Sequence, residues 1–183
     1  MNLKATKIKI LDLDLKGCIY LNHLSNVQRI ALFFKIISRL GDGAFWYAMV
    51  LLVWLQKGFA YGFQLLYILL GGSIGTAIYK VLKKTTVRPR PYQVHQVIVM
   101  GERPLDHFSF PSGHTLHAVM ATTVLGYIAP ILLFLMLPFM ILVALSRMVL
   151  GLHYPSDVIV GALIGITVAS LTILCAPLLN IML

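Results

Sequence analysis

The chain has 183 residues, 59% of them hydrophobic and 11% charged, a balance foreign to ordinary soluble domains and expected of a protein embedded in a membrane. Its 15 Lys and Arg against 6 Asp and Glu give a formal net charge of +9, which suits an anionic membrane surface or an anionic substrate, while the apolar composition argues against a nucleic-acid partner. No linker rich in Ser, Pro or Gly divides the chain and no repeat is visible, so residues 1–183 are expected to form one membrane-embedded domain.

Residues 1–42 mix apolar and charged positions. Lys4, Lys7, Lys9 and Lys16 read as interfacial anchors, and 27–40 carries Arg29, Lys35 and Arg39 among Ile30, Leu32, Phe33, Ile36 and Ile37, the pattern of an amphipathic helix lying in the interface. No apolar stretch followed by a small-residue cleavage site opens the chain, so insertion is expected to rely on internal spans. The stretch 44–56 is uncharged, with Trp46, Tyr47 and Trp54 near its ends, and Lys57 and Gly58 then make a tight turn.

The clearest span is 59–79, where 21 uncharged residues rising ~1.5 Å each cover a hydrocarbon core of roughly 30 Å. Gly71 and Gly75 give it a close-packing face. The polar, proline-rich stretch 80–111 reads as an extramembrane loop. Runs at 114–129 and 131–145, divided by Pro130, predict a helical hairpin; 146–157 is a second polar loop; 158–174 is a last span with Gly161, Gly165 and Ala169 at small-residue spacing. The expected fold is an all-α integral-membrane bundle of about five transmembrane spans plus an N-terminal amphipathic interfacial segment. With that count both loops and the N-terminal segment emerge on one side.

The charges gather in the loops. The first holds Lys83, six further residues, then Arg90-Pro91; Pro111-Ser112-Gly113-His114 follows; the second holds Ser146-Arg147, five residues, His153, three residues and Asp157. A phosphoryl group needs several positive donors because its transition state spreads charge over the equatorial oxygens, and Lys83, Arg90 and Arg147 supply them, the guanidinium forks suiting bidentate contact. Ser112 and Gly113 precede an apolar helix, where a hydroxyl and free N–H groups can bind an anion. One basic residue alone would read as a snorkelling anchor, but three have no reason to keep register with two histidines and an aspartate. His153 and Asp157 lie one helical turn apart, so the carboxylate can fix the imidazole tautomer and leave the other ring nitrogen free to attack phosphorus. Asp157 can also be read as a helix N-cap.

All three motifs resemble the signature of the type 2 phosphatidic acid phosphatase (PAP2) superfamily, with every signature position filled between residues 83 and 157. The resemblance implies a metal-independent lipid phosphatase or diphosphatase in which His153 is the nucleophile, Asp157 its orienting partner and His114 the general acid, while Lys83, Arg90, Ser112, Gly113 and Arg147 bind phosphate. Arg88 is a further candidate phosphate ligand or an ordinary loop charge; His117, three residues after His114, is a candidate pocket wall or a packed polar side chain. His23, His95 and His107 show no ligand spacing, and Glu102 with Asp106 makes no metal site, so no metal and no cofactor are expected. Cys18 and Cys175 are not expected to pair.

The implied partners are the bilayer and a membrane lipid phosphate; the sequence leaves the oligomeric state open. Undecaprenyl diphosphate is the favoured substrate by analogy, with phosphatidate, phosphatidylglycerol phosphate and diacylglycerol diphosphate as alternatives that the motifs do not separate. The implied location is a bacterial inner membrane, multi-pass. Membrane relatives in bacteria commonly face the periplasm, whereas the seven Lys and Arg of residues 1–42 point that end to the cytoplasm by the positive-inside rule, so the two indications of sidedness oppose each other. A channel or transporter would carry charges inside its spans, and here the spans are nearly free of them. A vanadate-dependent haloperoxidase on the same motif is disfavoured by the apolar bundle.

Overall fold

The computed structural model describes residues 3–183, with side chains from residue 9 onward, so Lys4 and Lys7 lie outside the described side chains. Among the described residues the regular structure is helical throughout, in the order α1 (Leu3–Asn22), α2 (Gln28–Gly41), α3 (Ala44–Lys57), α4 (Gly62–Thr86), the short α5 (Pro91–Val94), α6 (Gly113–Ile128), α7 (Leu133–Val149) and α8 (Pro155–Cys175).

Among the described residues three stretches are long and apolar enough to cross a bilayer, Phe59–Val94, Pro130–Val149 and Pro155–Leu179. α2 and α3, bent by 49° at the break between them, qualify together as a fourth. The all-α membrane bundle is as expected, and two of its segments stand out. Residues 27–40 form the amphipathic α2, with Leu32, Phe33 and Ile36 exposed and Ile37 and Ser38 buried, joined to α3 through the turn at Asp42 and Gly43. α6 has 16 residues, about 24 Å of helix, and falls short of the core thickness. Its position explains the short length: Leu116, Ala118, Val124 and Leu125 on several of its faces are buried against other helices rather than lipid.

Small residues set the closest approaches, as their spacing predicts. A Cβ on Gly161 would come within 2.5 Å of the Ser112 carbonyl oxygen, and one on Gly165 within 2.5 Å of the Leu116 carbonyl oxygen, so α8 rests backbone to backbone on α6. On α4, a Cβ at Gly71 would lie 2.6 Å from the Thr172 hydroxyl and one at Gly75 3.1 Å from Leu116. This contact brings the N-terminal ends of α6 and α8 together, with the Ser112 N–H donating to the Asp157 carbonyl at 3.0 Å.

Two motif residues expected in loops stand on helices. α4 continues past Tyr79 to Thr86 because no helix breaker occurs before Pro89, and so Lys83 occupies its last turns. Arg147 likewise ends α7, and the second loop shrinks to the few residues before α8. α1 covers this same end: the Asn22 side chain donates to the Val99 and Val149 carbonyls at 2.9 Å each and accepts from the Val99 N–H at 2.9 Å.

Candidate active site

At that end a cavity of about 430 Å3 opens among α4, α6, α7 and the loops. Lys83, Arg90, Gly113, His114, Arg147 and His153 all line it, so six of the eight residues named for catalysis and phosphate binding meet there, with Asp157 directly behind His153. Trp46, Val50, Ile68, Leu69, Val124 and Leu125 give the same cavity apolar walls toward the middle of the bundle.

His153 is buried at the turn between α7 and α8. The turn is built by the Leu152 and His153 N–H groups, which both donate to the Arg147 carbonyl at 3.0 and 3.1 Å, and by Gly151, whose φ of 69° and close approach to the Val99 carbonyl exclude a side chain. His153 Nε2 faces the cavity side 3.3 Å from Arg90 Nη1, and Nδ1 lies 3.6 Å from Asp157 Oδ2. That arrangement assigns the ring proton to Nδ1, facing the carboxylate, and leaves the Nε2 lone pair among cations. Burial first, then the charges of Arg90, Arg147 and Lys83, hold the imidazole well below its ordinary pKa, so it stays neutral.

Asp157 is the third residue of α8 rather than its N-cap. Its Oδ2 accepts from the Tyr154 N–H at 2.9 Å, and its Oδ1 accepts from Arg88 Nη1 at 2.6 Å. Arg88 also donates to Ser156 at 2.8 Å and to Asp14 of α1 at 2.7 Å, and it does not line the cavity; it braces the carboxylate behind the histidine.

The cations are held by side chains that sequence reasoning passed over. Lys83 Nζ donates to both oxygens of Asp106 at 2.7 and 2.8 Å and to the Phe108 carbonyl at 2.9 Å. Arg90 Nη2 reaches the same carboxylate at 2.7 Å while its Nη1 donates to the Leu152 carbonyl at 2.8 Å. Burial pushes the Asp106 carboxyl up, but Lys83 and Arg90 outweigh it and hold the group below its usual range. An ionised oxyanion is thus already seated between two of the proposed phosphate donors. Arg147 donates to the Ser38 hydroxyl of α2, and its Nε is buried without a partner among the described residues.

The remaining residues divide. His114, in the first turn of α6, makes a short contact through Nε2 with Oδ1 of Asp42. His117 lines the cavity one turn further and lies 3.1 Å from the Thr76 hydroxyl. Ser112 is fully buried and away from the cavity: its hydroxyl caps α6 by accepting from the Thr115 N–H at 3.4 Å, and its own N–H is taken by Asp157. Asp42, Asp106, Asp14 and Ser38 belong to no motif. For Asp42 a local signal existed, an acid between two glycines at the start of an apolar helix; the others are marked by nothing but their contacts. Among the described residues no three His, Cys, Asp or Glu side chains gather as a metal site, and both cysteines are free.

The PAP2 superfamily matches residues 60–181. The chain is similar to the decaprenylphosphoryl-5-phosphoribose phosphatase of Mycobacterium tuberculosis, 35% identical over 103 residues that make up 55% of each chain. It is similar to the protein of the same name from Mycolicibacterium smegmatis, 39% identical over 95 residues, 50% of this chain and 48% of that one. The matched segment thus spans about half the length of these curated relatives. Among solved structures it resembles the PAP2-type phosphatidylglycerolphosphate phosphatase of Bacillus subtilis with a TM-score of 0.74 at 22% identity, covering 90% of this chain and 84% of that one. It also resembles Aquifex aeolicus LpxE with a TM-score of 0.68 at 25% identity, covering 84% of this chain and 92% of that one.

Proposed function

Because the chain belongs to the PAP2 superfamily, we propose that it is a membrane lipid phosphatase that removes a terminal phosphate through a phosphohistidine on His153, without a metal ion. The observation that carries the reading is His153 itself, a buried neutral imidazole with Nε2 beside Arg90, and Asp157 behind Nδ1. In the first step the Nε2 lone pair attacks phosphorus, the P–O bond to the lipid breaks, and its electron pair leaves on an oxygen that takes a proton from His114. The Nδ1 proton of His153 stays facing Asp157, which offsets the charge on the phosphorylated ring. In the second step water attacks phosphorus, His114 takes its proton, and the N–P electron pair returns to His153. Lys83, Arg90 and Arg147 hold the equatorial oxygens, for which Asp106 must yield its place to the substrate.

The apolar walls around Trp46, Val50 and Val124 favour a substrate with a lipid tail. Two tails of substrate class remain in play. Undecaprenyl diphosphate presents a bare diphosphate on a prenyl chain. A polyprenylphosphoryl sugar phosphate, the class in the names of the mycobacterial relatives, adds hydroxyls, and the polar Thr76 and His117 pair in the cavity wall supports that second reading. A bacterial inner membrane is the fitting location for either.

The test is phosphate release by purified protein from undecaprenyl diphosphate, a polyprenylphosphoryl 5-phosphoribose, phosphatidate, phosphatidylglycerol phosphate and diacylglycerol diphosphate, with glycerol phosphate as a tail-free control. Turnover of a lipid substrate well above the control, retained in EDTA, is expected. A folded protein that releases no phosphate from any lipid, or does so only with an added divalent ion, would reject the reading.

A further inference from the structure

Both histidines of the site face a carboxylate, but the two carboxylates come from different parts of the chain. Asp157 lies within the residues matched by the family; Asp42 precedes them and reaches His114 from 72 positions away. The break that carries Asp42 is shaped for this reach. A Cβ on Gly41 would press to 3.0 Å from Val143 of α7, and Gly43 takes a φ of 155°, where a Cβ would come within 2.9 Å of the Tyr47 ring. One turn earlier on α2, Ser38 accepts from Arg147. The C-terminal end of α2 therefore meets both His114 and Arg147, and Asp42 lines the cavity with them.

Charge makes the contact consequential. Arg147 of α7 and His117 on the same helix act on the His114 ring, Lys83, Arg90, His153 and Asp106 line the same cavity, and Arg39, Glu102 and Arg103 line the adjoining recess. A general acid must hold a proton among these cations, and a partly buried positive ring in such company is costly unless a carboxylate adjoins it. Burial, then Arg147 and more weakly His117, pull the His114 ring down to about 4, and Asp42 is the carboxylate in contact that opposes them, to which a bound phosphate dianion would add.

We propose that Asp42 is a positioning residue for the reaction: it binds His114 through Nε2, stabilises the protonated ring, and thereby makes Nδ1 the atom that exchanges protons with the substrate. The inference rests on the phosphatase reading above. In the first step the Nδ1 proton passes to the departing oxygen while the Nε2 proton stays on the ring toward Asp42. In the second step Nδ1 takes a proton from the attacking water, and the ring is again doubly protonated and paired. The N-terminal helices thus complete a proton-transfer unit whose other half lies in the shared motifs.

The experiment compares wild type, Asp42→Asn, Asp42→Glu, His114→Ala, His153→Ala and the Asp42→Asn/His114→Ala double variant on an alkyl phosphate and on p-nitrophenyl phosphate, whose phenolate leaves without a proton. Asp42→Asn should lose on the order of 10- to 100-fold in kcat on the alkyl phosphate, as expected when a general acid is disabled, and less than about threefold on p-nitrophenyl phosphate. Asp42→Glu should recover part of the alkyl activity. The double variant should be no slower than His114→Ala, because residues acting as one unit are not additive. Equal losses on the two substrates, additive losses in the double variant, or faster turnover in Asp42→Asn would each overturn the proposal. If Asp42→Asn does not fold, the substrate ratio of Asp42→Glu decides: a loss equal on both substrates overturns it. Wild type inactive on lipid phosphates, or His153→Ala active, would instead defeat the phosphatase reading itself.

Discussion

His153 Nδ1 and Asp157 Oδ2 stand 3.6 Å apart, yet the carboxylate makes its hydrogen bonds to Arg88 and the Tyr154 N–H, leaving Nδ1 without one among the described residues. Asp157 is anchored first and presented to the histidine second. Phosphorylation of Nε2 would put positive charge on the ring and draw Nδ1–H toward the waiting oxygen, a contact that strengthens as the reaction proceeds.

Arg88 is accordingly expected to matter for stability more than for phosphate affinity. Its removal leaves the carboxylates of Asp14 and Asp157 buried without their shared cation, which typically costs about 3–5 kcal/mol. Thermal unfolding in detergent should show Arg88→Met melting below Lys83→Met, with vanadate affinity less affected by the former. Unchanged melting with lost vanadate binding would place Arg88 on the phosphate instead.

Replacing Lys83, Arg90 or Arg147 by Ala should lower turnover at least ~10²-fold, the usual loss for a preorganised transition-state donor. Arg147→Lys should also be impaired, since a point charge does not reproduce the guanidinium fork. Steady-state kinetics with unchanged membrane insertion checks both; near-normal turnover in all three alanine variants would reduce them to structural cations.

How much of this was legible in the sequence differs from residue to residue. Lys83, Arg90, His114, Arg147, His153 and Asp157 carry fixed spacing, and the Gly161 and Gly165 repeat marks a close-packing face on α8, whose partner α6 only the structure supplies. Charge alone does not distinguish loop from helix at Lys83 and Arg147, since Lys and Arg are good helix formers and nothing breaks α4 before Pro89. Asp106 and Ser38 were out of reach, because their roles come from contacts across 23 and 109 positions and not from any local pattern, while Asp42 carries a local mark, an acid between two glycines, that does not reveal its contact 72 positions away. Ser112 shows the opposite case: its motif position is plain, but only the packing against Asp157 shows that its N–H and hydroxyl are already used.

Adding a side chain at the α6 and α8 contact should separate the catalytic ends. A Cβ at Gly161 meets a backbone carbonyl that cannot move aside, so Gly161→Val is expected to destabilise by more than the ~1–3 kcal/mol typical of overpacking, and Gly72→Val, where a Cβ meets open space, by far less. Melting temperatures of the two variants give the answer; similar values would mean that the two helices are free to part.

The lowered pKa of His153 gives a pH prediction whose sign is fixed by linkage. The unfolded chain takes up a proton on this histidine near 6.5, whereas the folded chain does so only well below that, so the neutral form contributes stability above 6.5 that is lost as pH falls toward the folded value. The melting temperature of wild type should therefore drop more steeply than that of His153→Gln between pH 7 and 5. Parallel curves would show that His153 titrates alike in both states.

A covalent bond between phosphorus and His153 can be trapped by rapidly quenching the protein with a lipid phosphate radiolabelled in its terminal group. Label should be found on the protein in alkali-stable, acid-labile form, peptide mapping should place it on His153, and none should form in His153→Ala. Absence of label at every quench time in an active wild type, or label that persists in His153→Ala, would contradict it.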